Sequence, residues 1–275
     1  MTEGVAEIRF ALSDGVTRLA HLYQRDPLRV LFPAPATDDL PLAVIVTTSG
    51  GLVAGDRLDI EVGLAPGAVA HVTASAAEKV YRSTGRTTTI KQTLSIGSGA
   101  VLEFLPPETI LFDGARLRRE TVVDLASGSA FLGGDIVVFG RRARGERFVS
   151  GFLREVWEVH CDGELVWGDA LHLDDDVGLI IDDPACFDGA AAFATMILSP
   201  PGGEPRNLLD SARLVQSAAA TMGLRAGATA VAGLVIARWL AAEPAALRQA
   251  YADLACHFRS AALGLPPRLP RVWHV

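Results

Sequence analysis

Leu64-Ala65-Pro66-Gly67-Ala68-Val69 is a turn sequence that the chain repeats twice more in similar form. Ile96-Gly97-Ser98-Gly99-Ala100-Val101 comes next, and Leu125-Ala126-Ser127-Gly128-Ser129-Ala130 follows it. The three runs start about 30 residues apart, a spacing that is typical of structural repeats stacked on one another. They predict a layered or helical β architecture in which each repeat contains more than one strand. Glycine-containing turns also recur in antiparallel proteins, so this pattern alone leaves both arrangements open.

Short runs of alternating polar and apolar residues lie on both sides of these turns. Leu58-Asp59-Ile60-Glu61-Val62 is the clearest of them. Alternation with period two places one set of side chains on the buried face of a strand. The same reasoning predicts strands at 5–12, 18–24, 42–47, 69–74, 87–96, 117–125, 131–139 and 152–159. The Asp162-Gly163 pair further predicts a two-residue hairpin turn, because both of its central residues need a positive φ.

The last third of the chain predicts two helices. Asn207 is placed to cap the first and Gly223 to end it. Its apolar positions recur at helical spacing and are Leu208, Ala212, Val215, Ala219 and Met222. Pro244 suits the first turn of the second helix, and Gly264 stops it. The apolar positions of this second helix are Leu247, Tyr251, Leu254 and Phe258.

The apolar stretch 228–241 lies between these helices and predicts a buried strand or strand pair. No linker long enough to separate two units interrupts the chain. We therefore predict a single domain over residues 1–275. Its fold is predicted to be mainly β with two α-helices in the C-terminal third, and a stacked helical β-sheet architecture is one of the two arrangements that the repeated turns allow.

Composition and charge exclude several classes of protein. Half of the residues are hydrophobic, 49%, which excludes disorder as the dominant state. The net charge of −7 argues against a non-specific nucleic-acid binder, because phosphate neutralisation supplies the affinity of such proteins. No apolar run is long enough to cross a membrane, and no secretory signal starts the chain. Three scattered cysteines indicate reduced thiols, so we expect a cytoplasmic protein.

Catalytic motifs are missing from the sequence. Ser49-Gly50-Gly51-Leu52-Val53-Ala54-Gly55-Asp56 is rich in glycine but lacks the Gly-Lys-Ser/Thr ending of a phosphate-binding loop. No Gly-x-Ser-x-Gly elbow occurs, and no cysteine sits in the context of a nucleophile. The adjacent pairs His160-Cys161 and Cys256-His257 cannot chelate one ion alone, because neighbouring side chains point in different directions. We therefore predict no catalytic residues and no fixed metal site.

Charged side chains remain within strand-like and turn-like segments. They are Asp56 and Arg57, then Glu78, Lys79, Tyr81 and Arg82, then Glu108, and finally Asp113 and Arg116. Charges removed from water need partners, so such a set indicates either buried ion pairs or a polar passage. The sequence alone does not choose between these two interpretations.

Five blocks of the sequence resemble the UreD family of urease accessory proteins, also called UreH, in that family's order. Thr48 to Leu58 resembles its Gly-Gly-x-x-x-Gly-Asp block, and Ala77-Glu78-Lys79-Val80-Tyr81-Arg82-Ser83 its Lys-Val/Phe-Tyr-Arg block. Leu102-Glu103-Phe104-Leu105-Pro106-Pro107-Glu108-Thr109-Ile110-Leu111-Phe112-Asp113-Gly114-Ala115 is similar to its Leu-Glu-Trp-Leu-Pro-Gln-Glu-Thr-Ile block. Phe139-Gly140-Arg141 with Gly145-Glu146-Arg147-Phe148, and Leu269-Pro270-Arg271-Val272-Trp273, resemble the last two.

This resemblance implies an assembly factor that is not an enzyme. Family members bind apo-urease together with UreF and the GTPase UreG, so that nickel reaches the urease active site. The resemblance also implies stacked β-sheets with a pair of helices, no tightly bound cofactor, and transient nickel in a polar tunnel. Nucleic acids and membranes are not expected partners.

We take five residues as candidates for the lining of that nickel passage. They are Asp56, Lys79, Arg82, Glu108 and Asp113. The alternative for each is a structural role in ion pairs and turns. A second hypothesis for the whole chain is a β-rich enzyme or small-molecule-binding protein whose polar cluster is the active site. Co-purification with a urease apoenzyme would separate these hypotheses.

Overall fold

The computed structural model describes residues 1–202, 205–219 and 223–274. These residues form seventeen strands and three α-helices. The first strands are β1 (Glu3–Ser13), β2 (Val16–Arg25), β3 (Leu28–Leu31), β4 (Leu42–Thr47), β5 (Arg57–Leu64), β6 (Val69–Ala74), β7 (Glu78–Val80), β8 (Thr88–Ile96) and β9 (Val101–Phe104). The others are β10 (Thr109–Leu111), β11 (Arg116–Leu125), β12 (Ala130–Phe139), β13 (Gly151–Cys161), β14 (Glu164–Asp175), β15 (Ala192–Ser199), β16 (Arg225–Val231) and β17 (Leu234–Ala241). The helices are α1 (Val177–Asp182), α2 (Arg206–Ala219) and α3 (Pro244–Leu263).

A seven-stranded sheet, which we call sheet A, has the order β14-β13-β11-β8-β5-β1-β2. Its inner strands pair in parallel, and antiparallel hairpins close both edges. The predicted alternation is present in β5 and β8, whose buried side chains all point to one face. The hairpin predicted at Asp162-Gly163 is also confirmed, because the two residues have φ of 49° and 84°.

A ten-stranded sheet, sheet B, lies behind sheet A. Its main order is β16-β17-β15-β12-β9-β6-β4-β3, and β10 links β12 to β7. One hydrophobic core fills the space between the two sheets, and a second lies between sheet B and the helices α2 and α3. Every residue of β12 is buried because apolar layers cover both of its faces. The stretch 228–241 forms an antiparallel pair, β16 and β17, as one of the two predicted options.

The repeated turns connect sheet A to sheet B. After β5, β8 and β11 the chain crosses to β6, β9 and β12, so each repeat contributes a strand to both sheets. The turns also bond to one another, since Gly67 N–H donates to the carbonyl of Ser98 at 3.0 Å and Ala126 N–H to that of Ile96 at 2.9 Å. The predicted stacked β architecture is therefore confirmed.

Two helices occupy the C-terminal third, as predicted. Pro244 begins α3, and Gly264 ends it with a φ of 65°. The prediction that Asn207 caps α2 is wrong, because the helix begins at Arg206. The Pro205 carbonyl already accepts the N–H of Leu209 at 2.8 Å, which places Asn207 inside the first turn. Met222 and the side chain of Ala219 lie outside the described residues.

The short helix α1 was not predicted. It occupies the apolar stretch between two acidic runs and buries Val177 and Ile181. Among the helices of the described residues, none is long and apolar enough to cross a membrane.

Candidate functional site

Four of the sequence blocks described above meet along one ladder of parallel backbone pairs. Leu52 bridges to Val80, β7 pairs with β10, and β10 pairs with β12. Val80 therefore lies beside Leu111, which lies beside Phe139. Segments that are far apart in the sequence are in this way assembled at one place on the fold.

The glycine-rich turn is fixed against this ladder. The Leu52 N–H donates to the Lys79 carbonyl at 2.7 Å, and the Tyr81 hydroxyl donates to the Gly50 carbonyl at 3.1 Å. A Cβ at Gly51 would come within 2.5 Å of the Tyr81 ring. With its φ of 143°, this position requires glycine both for conformation and for space.

Asp56 is buried at the end of this turn. Its carboxylate accepts the N–H of Thr2 at 2.7 Å and that of Val53 at 3.0 Å. Burial acts to raise the pKa of Asp56, but these two backbone donors outweigh it and hold the pKa below its ordinary value. The contacts show that Asp56 closes the turn and holds the N-terminal strand. Its place in the lining of a passage stays a prediction.

Lys79 and Arg82 lie at the surface. The Lys79 side chain is exposed and pairs with no acidic side chain of the described residues. Arg82 is 68% exposed and donates to Asp113 at 2.6 Å. Of the five candidates, Arg82 and Asp113 are the two that the structure brings into direct contact.

Asp113 fastens two blocks together. One carboxylate oxygen accepts the N–H groups of Val149 at 3.1 Å and Ser150 at 3.0 Å, and the other accepts from Arg82. Burial acts to raise the pKa of Asp113, while these backbone donors and Arg82 lower it to below its ordinary value. The carboxylate is thus held ionised as a structural anchor.

Glu108 anchors the C-terminal block. It accepts from Arg248 at 3.3 Å, and Arg248 also donates to the Trp273 carbonyl at 2.6 Å. The guanidinium lies 5.3 Å from the centre of the Trp273 ring, and the indole N–H donates to the Leu105 carbonyl at 2.9 Å. Glu108 is therefore part of a clamp between the third block and the chain end.

A buried ionic network between the sheets was missed by the sequence reasoning. Arg119 donates to Glu155 at 2.6 Å, to Thr109 at 2.8 Å and to Asp135 at 3.2 Å. Trp157 donates to the same Asp135 oxygen at 2.8 Å. The second oxygens of Asp135 and Glu155 are buried and have no partner among the described residues. Three ionisable side chains are thus held away from water, and one oxygen of each carboxyl group is unpartnered among the described residues.

The charges of this network are coupled. Burial raises the pKa of Glu155 to about 8, and the negative charge of Asp135 adds to this effect while Arg119 opposes it. Burial acts to lower the pKa of Arg119, but the two carboxyl groups outweigh it and raise the pKa. At neutral pH Arg119 and Asp135 therefore form the ion pair, and Glu155 keeps its proton.

A small cavity of about 60 Å³ lies next to this network, between the two sheets. Its polar lining consists of Thr47, Thr73, Glu78, Gln92, Thr109 and Arg119. Thr47 donates to Glu78 at 2.5 Å, and burial raises the pKa of this carboxyl. The volume exceeds the ~10–15 Å³ that one water molecule needs, and polar partners are available on several sides.

The alternation of buried and exposed positions along the strands is the signal that could have identified Arg119 and Glu155. Arg119 lies between Leu117 and Thr121 on the buried phase of β11, and Glu155 lies between Leu153 and Trp157 on that of β13. A charged residue in an apolar phase indicates a buried partner. Among the described residues, no three His, Cys, Asp or Glu side chains are grouped so that they could hold a metal ion.

The chain matches a known family model over nearly its whole length. The model described as "UreD urease accessory protein" covers residues 2–274. A protein named "Urease accessory protein UreD" from Magnetococcus marinus is 42% identical over 275 residues, covering 99% of this chain and 94% of the relative. Proteins of the same name from Methylobacterium sp. strain 4-46 and Rhodopseudomonas palustris strain HaA2 are 41% and 37% identical. These cover 95% and 98% of this chain, and 90% and 92% of their own lengths.

Proposed function

Because this chain belongs to the UreD family of urease accessory proteins, we propose that it is a scaffold in urease maturation. It binds apo-urease together with UreF and UreG in the cytoplasm and conducts nickel to the urease active site. Nickel is its transient cargo, and it carries no tightly bound cofactor. The chain acts by assembly and conduction, without catalysing a reaction of its own.

One observation carries the nickel part of the proposal. The space between the sheets of a β protein is ordinarily apolar, yet here it contains Arg119, Asp135 and Glu155. A small cavity lies beside them, and Glu78 and Arg119 are among the six polar side chains in its otherwise apolar lining. Two carboxyl oxygens of this group are unpartnered within the described residues. Burying an unpartnered carboxyl oxygen costs free energy, and buried groups of this kind often mark a functional site. We take that function to be an interior route for a cation.

The donor set suits transit better than storage. Isolated carboxyl and hydroxyl oxygens bind Ni²⁺ weakly, whereas several grouped imidazoles and thiolates would retain it. The free cysteines, Cys161, Cys186 and Cys256, are not part of this interior group. A cation that meets single oxygen donors can move on to a stronger site in the urease.

The scaffold part rests on the assembled blocks. Asp56, Asp113 and Glu108 each hold two or more segments at fixed positions through backbone or guanidinium contacts. A surface built in this way is rigid and preorganised, which lowers the entropy lost on binding a partner. These three residues thus support a preorganised surface for partner binding. The place of all five candidates in the lining of a passage remains part of this proposal.

The test is a comparison of two matched variants. Glu78→Gln changes a carboxyl at the cavity, and Glu61→Gln makes the same change on the exposed face of β5. We expect both variants to co-purify with apo-urease and UreF, and the Glu78 variant to give urease with reduced nickel content. The same assay measures the nickel content of urease with Asp56→Ala, because Asp56 is one of the candidates predicted from the sequence.

Two results would count against the proposal in different ways. Full nickel content with the Glu78 and Asp56 variants would refute the interior passage. Failure of the unaltered chain to co-purify with any urease component would refute the scaffold itself.

A further inference from the structure

A group of arginines lies at the surface beside the assembled blocks. We call it the arginine surface and define it by Arg82, Arg142, Arg144 and Arg147. Arg142 to Arg144 form a short 3₁₀ turn, and Arg147 follows in the same loop. Arg82 reaches this loop through Asp113, whose carboxylate also binds the N–H groups of Val149 and Ser150.

The loop that carries these arginines is held rigidly. Arg141 packs over the Phe112 ring at 4.1 Å and donates twice to Glu146, at 2.7 and 2.9 Å. Phe148 is buried after the loop, and a Cβ at Gly140 would lie 2.5 Å from the Glu146 carbonyl. Arg142 and Arg144 therefore extend into solvent from a fixed base, and their positions need little ordering when a ligand binds.

Two of the four arginines of this surface have no ion-pair partner among the described residues, and the other two pair at the surface. Arg142 and Arg144 are exposed and make no ion pair with any residue that the structure describes. Arg147 pairs with Asp182 at the surface, and Arg82 keeps 68% of its side chain exposed while it contacts Asp113. Exposed pairs of this kind contribute only ~0–1 kcal/mol, so an incoming anion can compete for them.

The arginine surface is positively charged, whereas the whole chain has a net charge of −7. A long polyanion such as DNA would extend beyond the arginines and meet the acidic remainder of the molecule. A short acidic segment would interact with the local field alone, because salt screens charges beyond about 8 Å. Guanidinium groups also match carboxylates through paired hydrogen bonds.

We propose that the arginine surface binds a carboxylate-rich segment of a protein partner. This inference rests on the proposed function, because it assumes that the partner is one of the urease maturation proteins. It adds to that function the place of contact and the chemistry of the contacting segment. Binding at this surface accelerates association more than it increases final affinity, because exposed charges act mainly by steering the encounter.

The experiment compares Arg142→Glu/Arg144→Glu with Arg18→Glu/Arg206→Glu. The control residues are also exposed, have no ion pair among the described residues, and undergo the same change in net charge. Association of the full-length chain with apo-urease, UreF and UreG is measured separately at low and high salt. Oligoglutamate and duplex DNA serve as two further probes.

We expect association with one of the three proteins to slow about tenfold for the Arg142/Arg144 variant at low salt, and the difference to fall below about twofold at high salt. The control variant should behave as the unaltered chain. Oligoglutamate should bind the unaltered chain and the control more tightly than the Arg142/Arg144 variant.

Equal behaviour of the two variants toward every protein and toward oligoglutamate would overturn the proposal, and so would a preference for DNA over oligoglutamate. If the unaltered chain binds none of the three proteins, the proposed function fails. The oligoglutamate comparison then still decides whether the surface recognises carboxylates.

Discussion

Glu155→Gln should make the protein more stable at neutral pH. One oxygen of Glu155 accepts from Arg119, and the other is buried without a partner beside the charge of Asp135. With a pKa of about 8, the folded carboxyl holds a proton at neutrality. Glutamine has the same shape as this protonated acid, because its carbonyl accepts from Arg119 and its NH₂ group replaces the O–H.

The magnitude follows from the difference between the folded and unfolded chains. An unfolded glutamic acid loses its proton at its ordinary pKa of 4.5, while the folded carboxyl keeps it up to about 8. Between these values the folded state binds more protons, so the free energy of unfolding falls as pH rises, by ~1.4 kcal/mol per pH unit. The whole loss is ~5 kcal/mol and is complete above pH 8.

Glutamine does not titrate, so the variant escapes this loss. We expect the variant to gain ~4 kcal/mol relative to the unaltered protein between pH 4.5 and pH 7.5. It should therefore be more stable by ~2–4 kcal/mol at pH 7.5, after a cost of up to ~2 kcal/mol for burying its amide at either pH. Urea unfolding at both pH values measures the difference. Glu158→Gln, on the partly exposed face of the same strand, should show no such dependence on pH.

A variant that is less stable than the unaltered protein at pH 7.5 would refute this reasoning. It would mean that Glu155 is ionised in the folded state and stabilised by Arg119. Removing such a buried charge partner costs about 3–5 kcal/mol.

Three further outcomes test other parts of the structure. Asp56→Ala removes an acceptor of two backbone N–H groups and should lower the free energy of unfolding by about 2 kcal/mol in urea titrations, whereas a loss near zero would contradict its role in closing the turn. Gly134→Ala should lower the free energy of unfolding by about 3 kcal/mol or more, or abolish soluble expression, because its Cβ would lie 2.1 Å from the Thr195 carbonyl. The control Gly227→Ala has open space around its Cβ and should change stability by less than about 0.5 kcal/mol, so equal effects of the two variants would refute the packing argument. Trp273→Ala should lower the free energy of unfolding by about 3–5 kcal/mol in thermal or urea unfolding. A loss no larger than the ~0.5 kcal/mol of an exposed residue would show that the C-terminal clamp is not closed in solution.

The stacked β architecture could be predicted because its determinants are local. The repeated turns carry their own glycines, and strands such as β5 show the alternation of a half-buried surface within a few residues. Helix α3 was predictable for the same reason, since Pro244 and Gly264 mark its ends. The prediction placed the start of α2 two residues late, because the Pro205 carbonyl accepts the first backbone hydrogen bond of the helix in spite of the capping preference of Asn207.

The missed features depend on contacts between distant segments. Strands β7 and β10 have three residues each, too few to show a period, and they exist because they pair with one another and with β12. The interior network depends on register, which sets Arg119 beside Glu155 across two parallel strands. Sequence spacing alone does not determine that register, so it does not predict that Arg119 and Glu155 pair.

The hydrogen bonds between successive turns have a consequence for chain length. Because each turn presents the same donors and acceptors to the next, the ends of a repeat match those of its neighbours. Insertion or removal of about 30 residues would preserve every crossing between the sheets, whereas a change of a few residues would put the strands of one sheet out of phase with their partners. Length in this fold is therefore a stepwise variable, and the number of repeats sets how far apart two partners bound at opposite ends of the stack are held.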